Sequence, residues 1–322
     1  MVKLCNISDW YEVNYLSTGG TRNKKIYVNP EDGERYFFKE SFLKGNRNYK
    51  YEFWSEIIAS EVGIFFGFDI LPYHIAVKDT VVGCISKSMI DQGESEDLIE
   101  GVKFLQAFDP TFNPENTKER HRYTFRLICN SLESTGQKKY IVNLAEVIIF
   151  DGLIGNSDRH QENWAIIQKT SKYTGEKINN NEKTEKEGRF TQLSVLIRDF
   201  FEKLNIKESK IEVQTQVGEY IPFDQTRFAP IYDSGCSFGR ELPDHRVTNM
   251  LENDSELEKY VNKGFSEIHW EGNKLNHFEL IIKLLDNNEL RKHVLIVLER
   301  VINRFDREKI KQLVSDIDVE LL

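Results

Sequence analysis

Asp158 and Asn163 stand five positions apart in Gly155-Asn156-Ser157-Asp158-Arg159-His160-Gln161-Glu162-Asn163, and Asp233 opens Asp233-Ser234-Gly235, 70 residues further on (233 − 163). This long-range pairing constrains the fold more than any other feature of the chain. If the three side chains serve one site, the apolar run 164–167 after Asn163 must lie beside the run 228–232 that delivers Asp233. As antiparallel neighbours the two runs would bring Asn163 and Asp233 to one end of a ribbon. Two hard oxygen ligands there, completed by water and phosphate oxygens, suit magnesium, which keeps part of its hydration shell. Asp158 is then left to orient or deprotonate a hydroxyl, and phosphoryl transfer is the chemistry that uses such a set. Taken singly, Asp158 also reads as a turn residue and Asp233 as a turn or helix cap.

Upstream, residues 10–16, 25–28 and 35–39 read as short strands, separated by turn signals at 17–21 and at Asn29-Pro30-Glu31-Asp32-Gly33. In the first turn, Ser17, Thr18, Gly19, Gly20 and Thr21 place two glycines between hydroxyls. Backbone amides there could approach a triphosphate without obstruction, although an ordinary hairpin turn has the same composition. Lys39 ends the third strand, either solvated or reaching the α- and β-phosphates while a helix carboxylate holds it. From about residue 48 to 66 the spacing turns helical, with Phe53, Ile57 and Ile64 on one side and Glu52, Glu56, Ala59 and Gly63 on a neighbouring stripe. Glu52 and Glu56 share a face, so spacing does not choose between them as partner of Lys39. Gly67 stops the helix, and 71–77 and 80–85 read as two more strands.

Beyond residue 90 the pattern is mostly helical. Residues 144–154 predict a helix that stops at Gly155. From residue 269 the spacing of Leu275, Phe278, Ile281, Ile282, Leu285, Val294, Leu295, Leu298, Val301 and Ile302 predicts two or three packed helices. A long insertion, about 169–227, opens with a polar excursion over 169–189 and holds a predicted helix at 199–210. A chain of 322 residues exceeds what one core usually serves. Two lobes are expected, 1–90 with the sheet and the glutamate helix and 91–322 with the rest. A net charge of −9 argues against a protein devoted to nucleic acid. Cys5, Cys84, Cys129 and Cys236 show no metal-ligand spacing and read as reduced thiols. No Gly-x-Ser-x-Gly elbow points to a hydrolase. No run approaches a membrane span, and residues 1–6 lack a signal peptide's apolar core. Synthesis in the cytosol is expected, with export by a route that needs no such signal left open.

Glycine-bearing hairpin, strand lysine, helix glutamate, connector, Asp-x4-Asn and Asp-x-Gly follow one another in the order of a two-lobed kinase, an α+β fold. The motifs resemble those of HipA-like serine/threonine kinases: Gly155 to Asn163 is similar to their Gly-Asn-x-Asp-x-His-x-x-Asn, and Ala229-Pro230-Ile231-Tyr232-Asp233 to their Ala-Pro-x-Tyr-Asp. Glu56-Ile57-Ile58-Ala59 followed by Gly67-Phe68-Asp69-Ile70-Leu71-Pro72 resembles the family's glutamate helix, which favours Glu56 over Glu52. The resemblance implies a protein-kinase-like fold, ATP and Mg²⁺, with Asp158 as catalytic base, Lys39 as phosphate-binding lysine, and Asn163 and Asp233 as metal ligands. The long insertion departs from the family's short hairpin. The leading expectation is a Ser/Thr protein kinase acting on protein substrates and on itself, at Ser17, Thr18 or Thr21. A phosphatidylinositol or small-molecule kinase on the same scaffold is the alternative, since Asp158-Arg159-His160 with Asn163 also echoes phosphatidylinositol kinases. A non-catalytic nucleotide-binding interaction module is the third reading, and the presence of Lys39, Asp158, Asn163 and Asp233 speaks against it.

Overall fold

The computed structural model describes residues 2–13, 24–40, 52–91, 96–169 and 225–317, and the backbone alone at 43–44, 47–48 and 318–319. These belong to one compact unit, Met1–Lys169 with Gln225–Leu322. The predicted phosphate loop at 17–21, most of the polar excursion at 169–189 and the predicted helix at 199–210 lie outside the described residues.

Toward the N-terminus, strands β1 (Leu4–Asn6), β2 (Tyr11–Glu12), β3 (Lys25–Val28), β4 (Arg35–Glu40), β7 (His74–Lys78) and β8 (Val81–Lys87) form one sheet, in the order β1-β7-β8-β4-β3-β2. Strands β5 (Leu43–Lys44) and β6 (Arg47–Asn48) pair with each other alone. β1 lies parallel to β7, and all other neighbours are antiparallel. Three residues carry no readable period, which is why the sequence did not predict β1. The predicted strand at 71–77 begins instead at His74. β4 shows the alternation of a half-buried strand. Its Phe38 packs with Ile7, Tyr27, Ala76 and Ile85, and Lys39 therefore emerges on the opposite face.

On that face lies α1 (Glu52–Phe66), packed against β8. Its first half buries Phe53 and Ile57 with Ile75 and Cys84. Its second half turns Val62 and Phe66 into a larger core shared with the C-terminal helices. The buried face thus rotates between the halves, and Ile64, predicted to share a side with Phe53 and Ile57, is 46% exposed.

The C-terminal part is mainly helical: α2 (Gly101–Phe108), α3 (Phe125–Ser134), α4 (Ile141–Ile154), α5 (Asp244–Glu252), α6 (Asp254–Asn262), α7 (His277–Asp286), α8 (Arg291–Arg304) and α9 (Arg307–Val319). Side-chain caps define several starts: Thr124 accepts from Leu127 N–H, and Asn276 with Glu279 forms a capping box on α7. α4 is nearly all apolar and sits at the centre of the larger core, against α7 and α8. The C-terminal spacing was partly misleading. Leu280, Leu284, Val294 and Val297 point inward, while Phe278, Ile282, Leu295 and Ile302 are exposed, because these helices carry apolar residues on both sides.

The two runs flanking the insertion do pair. β10 (Ala165–Lys169) lies antiparallel to β11 (Thr226–Phe228), with Ile166 opposite Phe228. A third strand, β9 (Glu96–Glu100), pairs with the other edge of β10. The predicted strand at 228–232 breaks early, because Pro230 has no N–H to donate to the ladder. After Ala229 the chain turns, and Ile231 bridges in parallel to Ile70, just beyond α1.

Candidate active site

Lys39 leaves β4 directly opposite Cys84 of β8 and reaches α1, where its Nζ contacts Glu56 Oε1. Its ammonium also lies 3.1 Å from Asp233 Oδ1 and over the Tyr73 ring, 5.4 Å from the centroid. Burial alone would lower the lysine pKa. The carboxylates of Asp233 and Glu56 outweigh it and hold the group well above the ordinary lysine range. Glu56 is 1% exposed, and its second oxygen accepts the N–H of Ser234 at 2.9 Å. One helix carboxylate thereby links the strand lysine to the backbone after Asp233. Glu52, one turn earlier, pairs instead with Arg240 at 3.2 Å.

Asp233 has a left-handed backbone, φ 55°, a conformation that aspartate tolerates better than most side chains. Its other oxygen lies 3.1 Å from Lys24 Nζ. Two residues on, a Cβ at Gly235 would come within 2.9 Å of Glu52 Cγ and 3.1 Å of Glu56 Oε1. The glycine of Asp-Ser-Gly is needed for the segment to close on the two glutamates.

The Asp158 loop begins where Gly155 ends α4 in a left-handed cap, φ 68°. Asn156 is fully buried; its amide donates to Asp151 Oδ1 at 2.9 Å and its oxygen accepts Asp158 N–H at 3.3 Å. Asn163 donates through Nδ2 to the Asp158 carbonyl at 2.8 Å, which leaves its Oδ1 as the atom that could meet a cation. His160 acts structurally, its Nδ1 accepting Glu162 N–H at 3.3 Å. Cys236 connects this loop to the Asp233 segment: its thiol donates to Asp158 Oδ2 at 3.2 Å and accepts from Arg240 at 2.8 Å. Burial and the adjacent Asp158 charge raise the thiol pKa, so it stays a protonated donor. None of Cys5, Cys84, Cys129 or Cys236 forms a disulfide.

Arg159 ties the halves together. It is 1% exposed and pairs with Asp151 of α4 at 2.8 Å. Its Nη1 donates to the carbonyl of Asn163 at 2.7 Å and to that of Tyr232 at 2.6 Å. A single guanidinium therefore fixes the backbone at Asn163 and immediately before Asp233. Sequence reading missed Arg159, Asp151, Lys24, Cys236 and Arg240. A signal existed for one pair only: an acid within an otherwise apolar helix requires a buried partner.

Lys39, Glu56 and Asp233 thus meet directly, and Asp158 and Asn163 share one loop held to the Asp233 segment by Cys236 and Arg159. Among the described residues no three His, Cys, Asp or Glu side chains gather as a metal cluster. Asp233 and Asn163 would offer one carboxylate and one amide oxygen, which suits a hard, partly hydrated cation such as magnesium better than an all-protein cage.

The fold is protein-kinase-like. The chain is similar to the crystal structure of a Helicobacter pylori proinflammatory kinase, CtkA, with a TM-score of 0.67 and 15% identity, over 96% of this chain and 86% of that one. No protein-family model matches the chain, and no curated protein matches it in sequence. No helix among the described residues is long and apolar enough to cross a membrane.

Proposed function

We propose that this chain is an ATP- and Mg²⁺-dependent protein kinase that transfers the γ-phosphate to Ser or Thr hydroxyls. The observation that carries the reading is the simultaneous contact of Lys39 with Glu56 and Asp233, on a segment whose Cys236 also meets Asp158. The HipA-like motifs around Asp158 and Asp233 and the shared kinase fold support it.

Lys39 supplies a permanent positive charge for the α- and β-phosphates, and Glu56 fixes its direction. Asp158 takes the proton of the acceptor hydroxyl as that oxygen bonds to the γ-phosphorus. The bond from γ-phosphorus to the bridging oxygen breaks, and its electron pair leaves with ADP. Asn163 and Asp233 would hold magnesium, which when bound neutralises charge on the phosphate oxygens.

Asp158→Asn tests the reading. Phosphoryl transfer should fall by about 10²–10⁴-fold, with ATP affinity largely kept, because the base does not ligate the nucleotide. Wild-type transfer by this variant would overturn the mechanism. Autophosphorylation at Ser17, Thr18 or Thr21 is part of the proposal, since a dianion there would reposition ATP. Mass spectrometry after incubation with Mg-ATP should find phosphate on residues 17–21. An unmodified loop in a chain that phosphorylates added protein rules that part out.

A further inference from the structure

Two lysines meet the same carboxylate from neighbouring strands. Lys39 lies 3.1 Å from Asp233 Oδ1, and Lys24 lies 3.1 Å from Asp233 Oδ2. Their closeness follows from the ladder between β3 and β4. Lys25 pairs with Phe38, so one step further along the same register Lys24 comes beside Lys39, on the same face. Like charges so placed repel each other. The Asp233 carboxylate between them offsets that repulsion, and the chemistry above gives Lys24 no part.

A dication brought to Asp233 would meet an ammonium group on each carboxylate oxygen. Three positive groups cannot all stay at that distance from one carboxylate, so at least one lysine must give way. The surroundings decide which. Lys39 is also held by Glu56, whose side chain is fully buried. Moving Lys39 away would take from a buried carboxylate the cation that faces it, which is costly. Lys24 stands at the more open edge, its side chain 22% exposed against 13% for Lys39. A second acid already feels its charge. Burial and the adjacent Glu162 push the Glu100 carboxyl above the ordinary carboxylate range, and Lys24 acts against them. Glu100 ends β9 opposite Ala165, two residues past Asn163. The Lys24 ammonium can therefore pass from one acid of the cleft toward another.

We propose that Lys24 is a tethered counter-cation: its ammonium holds Asp233 Oδ2, yields that oxygen to a divalent cation by moving toward Glu100, and so sets how much metal the chain needs. The inference rests on the kinase reading, in which Asp233 is a metal ligand, and adds a regulation of that site. Metal loading becomes an exchange of one cation for another, and is weaker than the oxygen ligands alone would make it.

Mn²⁺ titrated into the full chain without nucleotide, with free Mn²⁺ followed by electron paramagnetic resonance, tests it. Lys24→Met should bind Mn²⁺ about tenfold more tightly than wild type, the scale of one hydrogen bond to a charged group. Lys24→Arg keeps a cation on the same carboxylate and should bind Mn²⁺ as wild type does. Lys24 is partly exposed just before β3, so the fold tolerates both changes. A Lys24→Met chain that binds Mn²⁺ no more tightly than wild type overturns the counter-cation. So does a Lys24→Arg chain that tightens as much as Lys24→Met. Asp233→Asn judges the underlying reading and should abolish phosphoryl transfer from Mg-ATP. If it does, a failed Lys24 result strikes the counter-cation alone. If Asp233→Asn transfers phosphate as wild type does, the metal role of Asp233 falls and both readings go with it.

Discussion

Two ionic clusters lie within one segment of each other and serve different ends. Around Arg159 everything is closed: the guanidinium and Asp151 are both almost fully buried, and the remaining bonds go to backbone carbonyls and the Ser234 hydroxyl. Burial by itself would lower the arginine pKa, but Asp151 holds it above the usual value. Around Lys39 the arrangement is open. Glu56 is sealed, whereas the side chains of Lys39 and Asp233 keep 13% and 15% exposure. Asp233 has a second cation, Lys24, on its other oxygen. The closed cluster can only hold geometry. The open one presents charges to whatever enters the cleft. Mutation should therefore separate stability from activity along this line.

The largest effect falls on the closed cluster. Arg159→Met leaves the buried Asp151 carboxylate with the Asn156 amide but no counter-charge, and should destabilise the fold by about 3–5 kcal/mol, read from denaturant midpoints. Arg159→Met with Asp151→Leu removes both charges and should recover much of that loss. Phosphoryl transfer should stay low in the double variant, because the carbonyls of Asn163 and Tyr232 still lack their shared donor. Recovery of full activity would show that Arg159 does not position the site.

Lys39→Met comes next and reverses the pattern. Transfer should fall by about 10²–10³-fold, the scale for losing one preorganised charge-stabilising group. The melting temperature should drop less than in Arg159→Met, since Lys24 still faces Asp233 and the Ser234 N–H still bonds Glu56. Equal thermal losses in the two single variants would erase the distinction between the clusters.

Gly235→Ala tests the seam where the Asp233 segment meets α1. The added methyl meets Glu52 and Glu56, and overpacking of this kind costs about 1–3 kcal/mol. Activity should fall with it, because the Glu56–Ser234 bond is displaced. The smallest effect lies outside both clusters. Burial lowers the pKa of His74, His269 and His277 below the ordinary histidine value of 6.5. Between 6.5 and the folded-state values the unfolded chain binds more protons than the folded one. Stability from these groups is thus present above 6.5 and is lost as the pH falls below it. His277→Gln should flatten the decline in urea midpoint over that range.

Much of this site was legible beforehand, for local reasons. The aromatic run of β4, the glutamates of α1 and the Asp-x4-Asn loop are each encoded within a few residues, and backbone period places such neighbours on one face. The runs after Asn163 and before Asp233 were recognisable for the same reason, while their antiparallel pairing was a condition that the sequence posed and the structure met. Faces were harder. Ile64 and Phe278 satisfy helical spacing yet face outward, because spacing does not say which side of a helix meets a neighbour. β1 and β9 were missed because their short runs gave no usable pattern.

The sequence alone carried the residue types and their order: a strand lysine, a helix glutamate, an aspartate five positions before an asparagine, and an aspartate two positions before a glycine. Those are properties of short segments, set by chemistry and backbone geometry. Closure across the 70 positions between Asn163 and Asp233 belongs to the tertiary structure, since a contact at that range forms only when β10 and β11 pair and one arginine satisfies both ends. The same holds for Lys24 on Asp233 and for Cys236 on Asp158. Nothing in their local sequence distinguishes these side chains from solvated or buried ones, and only packing gave them their partners.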